Sequence, residues 1–369
     1  MSGRVIVAAA GSGKTAEIIK AALAQPITSR VLITTYTIDN LGEIRQRIIK
    51  ETGTIPPNII LLGWFSFLLK HGVKPFQYPT FKANYLQGLH FDKRPGYPKK
   101  SNIYQYYVDP KGAVYRDFAS ELALLLDDAS NGEVFERIGS IFDHIFIDEV
   151  QDMSARDFEF IERLLTSRAD VTMVGDPRQG TFSTTNARTN KKLTKSKVGD
   201  WFAQLATKRL AKVEPLAHSY RCNQMICDYG DFIYEGRGFS ATESRQTKTT
   251  AHDGIFIVHP DDVEAYVAIH PVRALRYWAK TPTGGLPAKN FGEVKGLTFN
   301  RVLIFPTAGI GDFVRTRKEM AADTQAKFYV AVTRARHSVA IVLDSPGSSG
   351  IERWTPPTSA DIALVSEQN

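Results

Sequence analysis

The sequence predicts an α/β protein of two domains, each a mainly parallel sheet flanked by helices. Short apolar runs alternate with amphipathic stretches: RVIVAA with TAEIIKAALAQ, RVLITTY with NLGEIRQRII, NIILLG with FSFLLKHG. That alternation is the mark of successive β-α-β units. A second, looser series of apolar runs begins near residue 213, and 369 residues of which 43% are hydrophobic suffice for two cores.

In chain order, the next expected strand after NIILLG is HIFID, and SARDFEFIERLLTSR follows as a helix with Ser154 at its N-cap and Asp157 three residues on. Phe158, Ile161, Leu164 and Leu165 fall on one face of that helix. DVTMVGD is another strand, and the first domain is expected over residues 1–212. Two stretches interrupt the pattern. Residues 76–118 hold eleven aromatics, with seven Lys or Arg against three Asp, and have no period, so they read as an insertion. Residues 183–200 form a polar, basic loop. The second domain is expected over 213–345, with strands at GIFIVH, RVLIFP and SVAIVLD and a helix over TQAKFYVAVTRAR. A Ser-, Pro- and Gly-rich tail occupies 346–369.

The net charge of +7 and sequence pI near 9.2 suit a polyanionic partner. No run of about 18 apolar residues occurs, and no basic flank precedes a signal-like core, so a cytoplasmic protein without membrane contact is expected. The two cysteines, Cys222 and Cys227, lie near His218, but a structural zinc site wants four ligands and no fourth is near. They are expected to be reduced thiols.

VAAAGSGKT, residues 7–15, lies between a strand and a helix and resembles the phosphate-binding loop, with Ala8 where the usual pattern has its first glycine. In such a loop Gly11 and Gly13 let the backbone N–H groups of Ala10 to Gly13, Ser12 included, close around phosphate oxygens. Lys14 adds a point charge, and the Thr15 hydroxyl serves Mg²⁺. Asp148 and Glu149 end the strand HIFID. Beside a phosphate loop, a carboxylate at a neighbouring strand end holds Mg²⁺, here Asp148, and a second takes a proton from the attacking water, here Glu149. VGDPRQ brings Asp176 and Gln179 to the end of a further strand, and parallel sheets bind ligands at that edge.

With these pieces the chain resembles the UvrD/Rep-like helicases of superfamily 1 (1A), because the remaining motifs occur in that family's order. They are TTYT at 34–37, WFSF at 64–67, DEVQD at 148–152, GDPRQ at 175–179, SYRC at 219–222, KGLTF at 295–299 and YVAVTRAR at 329–336. The resemblance implies two RecA-like P-loop domains holding ATP and Mg²⁺. Gln179 would then sense the γ-phosphate, Tyr220 stack on adenine, Gly296 belong to the nucleotide site, and Arg221 and Arg334 reach across from the second domain. It also implies single-stranded DNA as partner, with RNA as the alternative strand, held by Thr35, Tyr36, Trp64, Ser66 and Phe182. Phe65 is a further aromatic in that place, and for Trp64, Phe65 and Phe67 packing in the core is the alternative to contact with a base.

The departures limit what carries over. The phosphate loop opens at residue 8, so the family's upstream adenine-reading motif is not expected here and the choice of base is left open. Gly292 and Thr298 stand where a His and a Glu flank the Lys-Gly pair. Neither large accessory domain has room, so the motor is expected to be nearly bare. The implied activity is an ATP-dependent 3'-to-5' translocase or helicase on single-stranded DNA. The alternative is a DNA-stimulated ATPase subunit, or an ATP-operated nucleic-acid sensor, of a larger complex docked through residues 76–118 or the tail.

Overall fold

The computed structural model describes residues 3–82, 85–96, 98–180 and 198–357. Its contacts divide into two compact units, one formed from 1–8 and 13–216, the other from 9–12 and 217–369.

The first unit carries β1 (Gly3–Ala8), β2 (Val31–Thr35), β3 (Ile59–Gly63), β4 (Gly88–His90), β5 (Ala113–Tyr115), β6 (His144–Asp148), β7 (Asp170–Gly175) and β8 (Ala211–Leu216). Six of these form a parallel sheet in the order β3-β2-β6-β7-β1-β8. Side chains alternate across it: Val5, Leu32, Ile145 and Ile147 face one apolar cluster, and Ile6, Ile33 and Phe146 face the other. Both faces are covered, so the strands are near-continuous apolar runs, and all five residues of β2 are buried. The expected domain break after 212 falls inside β8, which pairs along β1.

The insertion has its own short parallel pair, β4 beside β5, and a helix at Ile103–Tyr107. It lacks a sequence period because several of its aromatics serve the parent domain's core while others, such as Phe91, stay exposed. Tyr107, Tyr115 and Phe118 join Trp64, Phe67, Phe158 and Phe160 in one cluster. The Arg94 guanidinium lies 4.3 Å from the ring centroids of Tyr106 and Phe118 and donates to the Tyr106 carbonyl at 2.8 Å.

The second unit carries a short pair, β9 (His218–Ser219) with β10 (Glu243–Ser244). Its main strands are β11 (Gly254–Val258), β12 (Arg273–Arg276), β13 (Lys289–Asn290), β14 (Phe299–Phe305), β15 (Ala335–Val342) and β16 (Glu352–Trp354). They form a second six-stranded parallel sheet, β13-β12-β14-β15-β11-β16. Phe291, Phe313, Phe328 and Tyr329 fill the core on one face. Part of the expected tail is therefore sheet: β16 pairs with Phe256–Val258, and Trp354 lies edge-on to Tyr266 at 5.0 Å. Residues 358–369 lie outside the described residues.

Candidate functional site

β1 ends at Ala8, and the helix Lys14–Leu23 begins from Gly13, whose backbone is left-handed (φ 79°), as is that of Gly11 (φ 75°). Glycine tolerates this region without a Cβ penalty. At Gly11 there is also no room, since a Cβ would lie 2.6 Å from the Cβ of Arg221. The loop tip, Ala9–Ser12, groups with the second unit. There Ser219 Oγ donates to the Ala10 carbonyl at 2.8 Å, the Tyr220 N–H donates to the Gly11 carbonyl at 2.9 Å, and the Ala10 N–H donates to the Tyr329 hydroxyl at 3.4 Å.

Within the first unit the parallel register brings four strand ends to one edge, with Thr35 opposite Asp148 and Val7 opposite Gly175. Thr15 Oγ1 donates to Asp148 Oδ2 at 2.8 Å, and Lys14 Nζ lies 2.9 Å from Glu149 Oε1. Glu149 has φ 54° and ψ 41°, a left-handed conformation that costs a non-glycine residue free energy and is typical of functional sites. Its N–H donates to Asp148 Oδ1 at 2.8 Å.

Gln151 is the hub that sequence reasoning missed. Its Nε2 donates to Glu149, and its Oε1 accepts from the Asp176 N–H at 3.1 Å, tying the ends of β6 and β7 together. Asp176 in turn accepts from Gln179 Nε2 at 2.8 Å and from Arg178 Nε at 3.0 Å. Arg178, also missed, is only 3% exposed and is paired with a fully buried carboxylate. The one sequence signal for Gln151 was its place inside DEVQD; Arg178 had none beyond adjacency to Gln179.

Burial works against the charge on Lys14, but Glu149, Asp148 and Asp176 outweigh it and raise its pKa. Burial, reinforced by Glu149, pushes Asp148 up to about 6, against the opposing pull of Lys14 and the Thr15 hydrogen bond. A buried carboxylate with a raised pKa is short of positive charge, which a divalent cation supplies. The Thr15 hydroxyl and Asp148 carboxylate are hard oxygen ligands suited to Mg²⁺. Ser12 Oγ is buried and has no hydrogen-bond partner among the described residues, as suits a loop made to meet phosphate oxygens. The residues present thus fit a Mg²⁺-nucleotide.

In the second unit Tyr220 is 54% exposed, with Arg245 6.0 Å from its ring centroid. Arg221 Nη1 donates to the Thr333 carbonyl at 3.1 Å. Arg334 is buried and donates through Nε to the Val330 carbonyl at 3.0 Å. Gly296 is left-handed (φ 86°) with open space around it. Cys222 and Cys227 are buried free thiols, and among the described residues no group of His, Cys, Asp or Glu is arranged to hold a metal.

The expected nucleic-acid contacts divide. Ser66 is exposed, and Tyr36 is half-buried with its ring edge-on to Phe65 at 5.1 Å. Trp64 needs correction: its indole is fully buried and donates to Asp157 Oδ1 at 2.8 Å, so no base can stack on it. Thr35 is likewise fully buried, and its Oγ1 has no hydrogen-bond partner among the described residues. Phe182 and most of the basic loop 183–200 lie outside the described residues.

A parallel sheet whose first strand feeds a glycine loop and a Lys-Thr helix, with Asp-Glu ending a nearby strand, defines a P-loop nucleotide-binding protein. The family model "UvrD/REP helicase N-terminal domain" matches residues 74–197. That match spans about a third of the chain, and with the ordered motifs and the two RecA-like folds it marks a resemblance to the UvrD-like superfamily 1 helicases. The fold is similar to that of the arterivirus nonstructural protein 10 helicase in complex with DNA, at 15% identity and a TM-score of 0.50, covering 93% of this chain and 60% of that one. The same helicase in another structure (15%, TM-score 0.48, coverage 93% and 60%) and the PRRSV helicase (14%, 0.47, coverage 97% and 55%) are also similar. The chain thus spans 55–60% of the length of these helicases. No curated protein sequence matches it. No helix among the described residues is long and apolar enough to cross a membrane.

Proposed function

We propose that the chain hydrolyses ATP and uses the cycle to move 3'-to-5' along single-stranded DNA. The observation that carries this reading is the meeting of Lys14, Thr15, Asp148, Glu149 and Gln179 at one sheet edge through hydrogen bonds and an ion pair. Thr15 and Asp148 would hold Mg²⁺, which would supply positive charge to offset that on the phosphates. Without nucleotide, Lys14 and Glu149 neutralise each other. A phosphate that takes over the Lys14 charge releases the Glu149 carboxylate to accept a proton from water, with Gln151 holding its second oxygen. Gln179, aligned by Asp176, is the group that responds to the terminal phosphate. By the family resemblance, Arg221 and Arg334 would supply positive charge against the negative charge that develops in the transition state. The 3'-to-5' direction rests on the family resemblance.

Strand displacement tests the movement. A duplex with a 3' overhang should be opened in the presence of ATP and one with a 5' overhang should not. Activity on the 5' overhang alone refutes the polarity, and nucleotide turnover indifferent to nucleic acid refutes the motor.

A further inference from the structure

We infer that the insertion adds a base-stacking platform for single-stranded DNA, built from Phe91 and Arg116. The inference rests on the nucleic-acid reading above and extends it to residues outside the motif series. β4 and β5 run parallel with His90 opposite Tyr115, so the next residue of each strand, Phe91 and Arg116, emerges at the same end. β2 and β3 do the same in the main sheet: Thr35 pairs with Gly63, and Tyr36 and Phe65 follow just beyond. The two pairs meet. The Phe91 ring is edge-on to Phe65 at 6.4 Å, and Phe65 is edge-on to Tyr36 at 5.1 Å. The Arg116 guanidinium lies 5.7 Å from the Phe91 centroid and 5.9 Å from that of Phe65.

Phe91 is 53% exposed although it is a large apolar side chain beside a formed core, so a face of its ring is open to a ligand. Phe65, 9% exposed, acts as the rigid wall behind it. A cation over an aromatic ring, on an insertion with seven Lys or Arg against three Asp, favours a polyanion that also offers flat apolar rings. Arg116 Nε lies 3.4 Å from Asp117 Oδ1. The position agrees with the motor reading, because Tyr36 follows β2, the strand whose last residue is paired with Asp148.

The test is the affinity of the full chain for an oligothymidine strand of about twelve nucleotides, and for an abasic strand of the same length, at fixed salt. Phe91→Ala should weaken oligothymidine binding about tenfold, leave abasic binding nearly unchanged, and be rescued by Phe91→Trp. Arg116→Ala should weaken binding to both strands, since it removes charge as well as ring support. Wild-type binding that Phe91→Ala leaves intact overturns this inference alone. A loss confined to an oligouridine control overturns the assignment to DNA. A wild-type chain that binds no single strand overturns the motor reading together with it.

Discussion

At the carboxyl edge of the first sheet, Lys14, Asp148, Glu149, Gln151, Asp176 and Gln179 form one polar network joining the ends of β6 and β7 to the helix after β1. The corresponding edge of the second sheet, at the ends of β11, β14 and β15, instead carries a cavity of about 450 Å³ walled mostly by apolar residues such as Pro260, Val263, Phe305 and Leu343, with Thr307 and the Arg315–Asp344 ion pair also lining it. Strand number and parallel pairing are the same in both. Sheet architecture therefore does not assign chemistry; the residues at the strand ends do. In the second unit Arg221 and Arg334 lie away from that edge, donating to the backbone carbonyls of Thr333 and Val330.

Breaking the polar edge should have the largest effect. Glu149→Gln should lower ATP turnover about 10³-fold while nucleotide binding persists. Lys14→Ala should abolish binding as well, seen with a fluorescent nucleotide. A Glu149→Gln protein that turns over normally would remove the carboxylate from the base role.

The next effect concerns stability. Trp64→Ala should cost about 3–5 kcal/mol by denaturant titration, because it empties a core position and leaves Asp157 without its indole partner. A loss below 1 kcal/mol would mean that the indole is not the core element it resembles. Smaller still, Gly175→Ala should reduce turnover and stability together by about 1–3 kcal/mol. A Cβ there would lie 2.6 Å from Gln151 Oε1 and 2.8 Å from Val150 Cγ1, pushing the hub off Asp176. Gln151→Ala in the Gly175→Ala background should show no further full loss if the clash acts through Gln151.

The smallest effect is a pH slope. Burial, with Arg137 and Lys70 nearby, lowers His71 from the ordinary 6.5 to about 4. Between those values the unfolded chain binds the proton and the folded one does not, so stability falls as pH drops from 6.5 toward 4. His71→Leu should flatten that slope in melting experiments. It should not abolish it, because burial also lowers His252 to about 4 in the second unit.

Much of the polar edge was legible in the sequence. Lys14 and Thr15 follow a glycine loop, and Asp148 and Glu149 follow three apolar residues, so local pattern alone brings them to strand ends. The links between them were not legible. Gln151 bridging to the Asp176 N–H depends on β6 lying beside β7, a tertiary fact with no local sign. Trp64 shows the converse: its motif left base contact and core packing both open, and the partner that decides it, Asp157, lies on a helix 93 residues away. The insertion hid its order for a similar reason, since Tyr107, Tyr115 and Phe118 pack against distant parts of the first unit and so leave no period of their own. β16 was masked by the prolines and glycines around it, although Trp354 anchors it to Tyr266.

The most direct measurement is the ATPase rate of the wild-type chain with no nucleic acid, with single-stranded DNA and with single-stranded RNA, each repeated with Glu149→Gln. A rate that rises with DNA and is lost in Glu149→Gln is the expected result. Equal rates under all three conditions, or a DNA-stimulated rate that survives Glu149→Gln, would contradict a motor driven from the Lys14–Glu149 edge.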